Sequence, residues 1–326
     1  MPYFSIIIPV YNRPDEVNDL LESLSKQTYK DFEVIIVEDG STVCCADAVK
    51  RYSRIVDIHY YYKENEGRSI ARNYGLERAV GSYFIFFDSE GYFEALNAVL
   101  NRHYTDCFGG PDAAHDSFSD VQKAINYSMT SFLTTGGIRG GRVQLEKFTP
   151  RTFNMGFSRE VYDRVGGFRE MFSEDIDMST RIRQAGFGIS LIRNAFVYHK
   201  RRISMRLFFR QIYIFGMSRI SLYLLYPDTL KLVHWFPACF VIGTLAMIVA
   251  SFFWWPAILP LAMYLFAVFL VSWCVNKRLK IAALSVVASI IQLGGYGMGF
   301  LKAFFYKVLL GRGRDEAEEV RLRKGK

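Results

Sequence analysis

Residues 64–90, ENEGRSIARNYGLERAVGSYFIFFDSE, set a glycine, a helix-forming stretch and a strand in immediate succession. RSIARNYGLERA reads as a helix, and SYFIFFD is a bulky apolar run of the kind a strand covered on both faces requires. That strand runs into Asp88-Ser89-Glu90 and then Gly91. Two carboxylates one residue apart at a strand end leave two readings open: ligands for a divalent cation, or the ordinary polar end of a buried strand.

The same alternation precedes it. FSIIIPV (4–10) is a continuous apolar strand, and PDEVNDLLESLSKQ (14–27) puts Val17, Leu20, Leu21 and Leu24 on one helical stripe behind Pro14. FEVIIVEDGS (32–41) is a second buried strand ending in acid and glycine, followed by a polar helix near 45–53 and the strand DIHYYYK (57–63). This order predicts an α/β fold with a mainly parallel sheet flanked by helices. Ligands gather at the carboxyl ends of such strands, where Asn12, Asp39 and Asp88 fall.

The chain has 326 residues, 51% of them apolar, and nearly every long apolar run lies beyond His234. Its formal charge of +8 is concentrated just before and between those runs, which suits anionic lipid headgroups and argues against nucleic acid as a partner. The five cysteines form no C-x-x-C pair, so neither a zinc site nor a disulfide framework is indicated and a reducing compartment is expected. SIIIPVY is too short, and too soon broken by Pro9, to serve as a signal-peptide core.

The middle, 105–200, is rich in glycine and contains an apparent helix at DVQKAINYSMTSFL. Beyond it, 201–232 mixes arginines with an apolar stripe of Met205, Phe208, Phe209, Ile212 and Phe215, predicting amphipathic helices in a membrane interface. The apolar segments 235–255 and 257–275 are each long enough for a bilayer core of roughly 30 Å, with tryptophans at the turn between them. The basic linker 276–280 is expected to face the cytoplasm, together with the soluble domain. For 281–305 a single span, a segment broken at GGYGMG (294–299) and a fourth crossing all stand open, so 233–310 holds three or four transmembrane segments before a charged tail, 311–326.

Four signals in order, SIIIPVYNR, VIIVEDGS, residues 64–90 and SEDIDMSTRIRQAGF (173–187), resemble the family 2 glycosyltransferases of the GT-A fold, over roughly residues 3–200. The later segments resemble membrane-attached bacterial members that build surface polysaccharides. A GT-A nucleotide-sugar-binding domain over 1–200 is then expected, an integral protein of the bacterial inner membrane with its catalytic domain in the cytoplasm.

Asp39 can accept the N–H of a uracil-like base, with Pro9, Tyr11 and Asn12 lining the same pocket. Arg68 and Arg72, four apart near a helix N-terminus, suit a diphosphate, and Asn73 is placed to fix the adjoining loop. The resemblance makes Asp88 and Glu90 counterparts of an Asp-x-Asp pair that holds Mg²⁺ or Mn²⁺ against that diphosphate, and His199 a further metal contact. Here a glutamate replaces the second aspartate, and Gly91 follows at once where members carry a longer loop.

Glu174 and Asp175 have two readings. Acids in a first helical turn stabilise its dipole, with Ser173 as N-cap; by resemblance, Asp175 is the base that deprotonates the acceptor hydroxyl, with Glu174 beside it. A sugar hydroxyl needs such a base and a lipid phosphate does not, which favours a lipid-linked glycan acceptor over polyprenyl phosphate. The Gln-x-x-Arg-Trp motif of processive synthases is absent, since Gln211 is followed by Ile-Tyr-Ile. Asp112 and His115 are further candidates for shaping the acceptor site. A catalytically silent nucleotide-sugar binder is the alternative from another class.

Overall fold

The computed structural model describes residues 2–87, 104–110, 112–113, 118–136, 148–192, 197–198 and 204–313. These fall into two compact units, one from Met1–Ala113 and Phe148–His199, the other from Ala114–Lys147 and Lys200–Arg321. Sequence order and spatial grouping therefore part company at 114–147, which interrupts the first unit and belongs to the second.

The first unit opens β1 (Phe4–Val10), α1 (Pro14–Ser25), β2 (Phe32–Asp39), α2 (Ala46–Tyr52), β3 (Ile58–Lys63), α3 (Arg68–Leu76) and β4 (Tyr83–Phe87). After β5 (Cys107–Gly109) and β6 (Asp112–Ala113), the chain supplies α4 (Asp120–Thr130) and α5 (Phe132–Thr135) to the second unit. It resumes with β7 (Asn154–Ser158), α6 (Arg159–Val165), α7 (Glu174–Gln184), β8 (Ile189–Leu191) and β9 (Val197–Tyr198).

Seven strands make one sheet in the order β3-β2-β1-β4-β7-β5-β8, with only β7 antiparallel to its neighbours, and β6 pairs with β9 separately. The continuous apolar runs are explained by two covered faces. Ile6, Ile8, Val34 and Ile36 pack against Leu20, Leu21 and Leu24 of α1, while Ile7, Ile35 and Val37 pack against Ala71 and Leu76 of α3. The chain winds outward from β1 to β3 and then returns to lay β4 on the other side of β1. In open α/β sheets ligands gather at such a reversal, here the carboxyl edge between β1 and β4.

The second unit continues with α8 (Met205–Leu225), α9 (Phe236–Ser251), α10 (Leu259–Asn276) and α11 (Leu279–Ala303). Among the described residues three stretches are long and apolar enough to cross a membrane: Leu232–Ser251, Trp255–Asn276 and Leu279–Leu309. Of the readings open for 281–305, the broken segment is excluded, because α11 runs without interruption through 294–299 before a π-helical turn at Phe304–Leu309. Those glycines serve close approach instead. α8 is one 21-residue helix lying along α11, with Gly216 against the backbone of Tyr296 and Phe300, and Gly299 against the Tyr213 carbonyl.

Gly216→Leu would drive a side chain into the Tyr296 carbonyl, which cannot move without bending α11. Overpacking of this kind costs about 1–3 kcal/mol, so the melting temperature in detergent should fall. Gly243→Leu, at a position with open space around it, should leave it unchanged.

Candidate functional site

Asp39 ends β2 and is almost fully buried, which would be costly for a lone carboxylate. Three donors compensate. Oδ1 accepts from Lys63 Nζ and the Glu66 amide, each at 3.0 Å, and Oδ2 accepts from the Gly67 amide at 2.9 Å. The Asn65 side chain donates to the Asp39 carbonyl at 2.9 Å. Gly40 is required next, since it sits at φ +71° with the Asn65 backbone packed where a Cβ would stand.

Burial alone would push the Lys63 ammonium down, but hydrogen bonds and charge from Glu66 and Asp39 outweigh it and hold its pKa above the ordinary value. Asp39 thus clamps the loop 63–67 against the sheet edge and fixes the start of α3.

On the neighbouring strand, Pro9 is partly buried and Tyr11 exposed. Asn12 takes φ 53° and its Oδ1 accepts from the Thr42 amide, the Thr42 hydroxyl and the Val43 amide, tying the end of β1 to the loop after Asp39.

α3 carries the link onward. Arg68 Nη2 donates to Glu174 Oε2 at 2.9 Å and Arg72 Nη1 to Glu174 Oε1 at 3.0 Å. Glu174 and Arg72 are both buried, whereas the Arg68 side chain is 55% exposed and remains open to a ligand. Asn73 completes the joint: it accepts from the Phe168 amide and donates to the Phe168 carbonyl, each at 2.8 Å. Below it, buried Asp177 bridges Arg169 and Arg181, and Arg181 also donates to the Val165 and Gly167 carbonyls.

Asp175, one residue on, keeps a partly exposed carboxylate. Oδ2 accepts from Arg151 Nη1 at 3.2 Å and Oδ1 from the Ile176 amide at 2.8 Å. Ser173 holds the N-cap position but not in the expected manner. It takes the left-handed conformation, φ 68°, and its side chain makes no capping bond to the helix. With φ positive, its hydroxyl is turned from the geometry a side-chain cap needs.

The structure therefore joins Asp39, Arg68, Arg72, Glu174 and Asp175 through consecutive contacts. Asp88, Glu90, His115 and His199 lie outside the described residues, and of Asp112 only the backbone, in β6, is described. Among the described residues no group of three or more His, Cys, Asp or Glu is placed to hold a metal. β4 does bring the chain to the carboxyl edge at Phe87, immediately before Asp88.

Sequence reasoning missed Lys63 and Arg151. Lys63 had a signal, since it is the register partner of Asp39 on the adjacent strand. Arg151, alone in a polar stretch, had none.

A mixed α/β sheet with an acid-ended second strand, a basic helix start and an acidic helix start bonded to it resembles the GT-A fold of glycosyltransferases. Residues 5–166 match the profile of glycosyl transferase family 2 and residues 150–313 that of glycosyl transferase family 21. The chain belongs to glycosyltransferase family 2. An uncharacterized glycosyltransferase of Rickettsia felis is 42% identical over 89 residues, 27% of this chain and 15% of that protein. The glycosyltransferase TuaG of Bacillus subtilis, provisionally assigned to teichuronic acid biosynthesis, is 42% identical over 91 residues, 27% of this chain and 36% of its own. These curated relatives are thus matched over well under half of their length.

Among solved structures, the mannosyltransferase PcManGT of Pyrobaculum calidifontis, in complex with GDP-Man and Mn²⁺, superposes with a TM-score of 0.61. It covers 90% of this chain and 87% of its own at 18% identity, a likeness of fold.

Asp39→Ala removes the acceptor for three donors, so the Glu66 and Gly67 amides should exchange with deuterium faster while those of β1 do not. The Lys63 pairing has a raised lysine pKa, so its stabilisation is complete below 10.5 and is lost as pH rises through the folded value. The melting-temperature gap between wild type and Lys63→Met should stay level from pH 7 to 10 and shrink only above 10.5.

Proposed function

We propose that the chain is an inverting glycosyltransferase moving one sugar from a nucleotide-sugar donor, UDP-linked, to a hydroxyl of a lipid-linked glycan in cell-surface polysaccharide synthesis. One observation carries the reading: the partly exposed Asp175 carboxylate is held beside Glu174, which is bonded to the arginines of the helix that the Asp39 clamp positions. In this proposal one set of linked side chains serves both nucleotide recognition and proton removal. The provisional assignment of TuaG to teichuronic acid synthesis supports a polysaccharide context.

In this reading Asp39 accepts the base N–H, with Pro9, Tyr11 and Asn12 shaping the pocket. Asp175 removes the acceptor hydroxyl's proton as its oxygen attacks the anomeric carbon and the bond to the diphosphate breaks. Arg68, exposed at the positive end of α3, carries charge on the departing diphosphate. Arg72 is buried and acts through Glu174, keeping that carboxylate in register with Asp175.

A divalent cation, Mg²⁺ or Mn²⁺, would add charge stabilisation at the diphosphate when bound, and Asp88, Glu90 and His199 are the residues proposed to hold it. The three long apolar helices span the bacterial inner membrane, with the basic loop 276–280 and the catalytic unit on the cytoplasmic side.

The test is a donor panel of UDP- and GDP-sugars with Mg²⁺ or Mn²⁺, using full-length protein in nanodiscs and a lipid-linked glycan acceptor, and reading nucleotide release. Asp175→Asn should lower turnover by at least about 100-fold with nucleotide affinity unchanged. Efficient transfer to purified polyprenyl phosphate, insensitive to Asp175→Asn, would overturn the choice of a hydroxyl acceptor. Tight nucleotide binding with no turnover for any donor would overturn the enzymatic reading.

A further inference from the structure

The insert between β6 and β7 supplies α4 and α5, which pack within the second unit along two of the apolar helices. Asp120, at the start of α4, pairs with Lys280 at 2.9 Å and Arg278 at 3.5 Å, beside the turn between α10 and α11. Farther along, the Tyr127 hydroxyl donates to the Val268 carbonyl at 3.3 Å, and the Tyr264 hydroxyl donates to the Leu133 carbonyl at 3.0 Å. Ile125 and Met129 pack with Ala288 of α11 and with Phe208 and Ile212 of α8. Along α4 itself, Asp120 to Thr130 spans about 15 Å at the helical rise of 1.5 Å per residue. Tyr264, which bonds Leu133, lies about 18 Å along α10 from the end of that helix at Asn276. The insert thus reaches more than half of the way across a hydrocarbon core of roughly 30 Å, if α10 and α11 cross one.

Its chemistry fits that depth. The charged residues of the insert helices, Asp120 and Lys123, lie in the first turn, at the basic end; AINYSMTSFLTTG (124–136) carries none. The helix breaks at Ser131, which would leave several carbonyls without amide donors, and in hydrocarbon no water could replace them. Hydroxyls fill the gap. The Ser131 carbonyl already accepts the Thr134 and Thr135 amides, so the single protons of Thr134 Oγ1 and Thr135 Oγ1 are available to the Ser128 and Met129 carbonyls. Ser128 and Thr130 bond back to Ile125 and Asn126, and Tyr264 caps Leu133. In water such carbonyls need no private donors. Phe132, beyond that break, is a large apolar side chain 60% exposed.

We infer that residues 118–136 are a membrane-embedded element whose exposed deep face, at Phe132, contacts lipid hydrocarbon. This rests on the membrane-spanning reading of α10 and α11 proposed above. The partner is the acyl-chain region of the bilayer, with the ion pairs of Asp120 marking the headgroup boundary.

The test uses full-length protein in phosphatidylcholine–phosphatidylglycerol nanodiscs, with the exposed cysteines Cys44, Cys239 and Cys274 replaced. Phe132→Cys, Ser119→Cys and, on α10, Phe266→Cys are each labelled with the fluorophore NBD. The expected result is quenching at 132 and 266 by lipids brominated in mid-chain, with aqueous iodide quenching only at 119. Quenching by brominated lipid at 266 but by iodide at 132 would overturn the inference while leaving the spans intact. Iodide quenching at both would overturn the spans and the inference together.

Unmodified protein provides a second readout that needs no substitution. Lipids with a mid-chain diazirine should crosslink within 124–136 as well as within 259–276, and crosslinks confined to 259–276 would overturn the inference.

Discussion

The Glu174 carboxylate, 2% exposed and held between two guanidinium groups, is the contact on which the catalytic unit depends. A buried carboxylate stripped of its partner costs roughly 3–5 kcal/mol, so α7 cannot begin anywhere but against α3. The start of α3 is in turn fixed by Gly67, whose amide donates to Asp39 at the end of β2. One line of bonded groups therefore runs from the sheet edge to Asp175, the carboxylate proposed to deprotonate the acceptor. Arg72 contributes position more than net stability. Its Nε lies buried with no hydrogen-bond partner among the described residues, and the ring of Phe168 stands 5.6 Å from its guanidinium carbon. A well-packed apolar pair would hold the helices together as well, but it would not fix the carboxylate beside Asp175.

The strands were legible because a parallel sheet covered on both faces leaves no polar alternation. FSIIIPV and FEVIIVED could hardly be anything else, and Asp39 and Glu174 followed as acids at element ends. What Glu174 bonds was not legible. Its arginine partners lie about a hundred residues earlier, and only the tertiary fold makes them neighbours. The same holds for Arg151 on Asp175, and for Ser173, whose type suggests a side-chain cap while its backbone lies in the left-handed region. Strain at Asn12 and Ser173, on either side of the site, is tolerated because Asn12 is held by three donors and Ser173 stands between the fixed turn at Phe168 and the Glu174 bridge.

In the C-terminal unit the sequence misleads for a different physical reason. GGYGMG suggests a break, since glycine is a poor helix former in water. Between closely packed helices the missing side chains let backbones touch, and the helix continues. DVQKAINYSMTSFL reads as an ordinary half-polar helix. Only the bonding shows that its hydroxyls turn inward onto carbonyls, satisfying the helix from within.

The most direct measurement of the central link is a double-mutant cycle at Arg72 and Glu174, with Arg72→Met, Glu174→Gln and the pair compared in kcat/KM and nucleotide affinity. If the bridge sets the position of Asp175, each single change lowers kcat/KM sharply with nucleotide affinity little altered, and the double change is no worse than either alone. Full additivity of the two losses, or single variants as active as wild type, would contradict it.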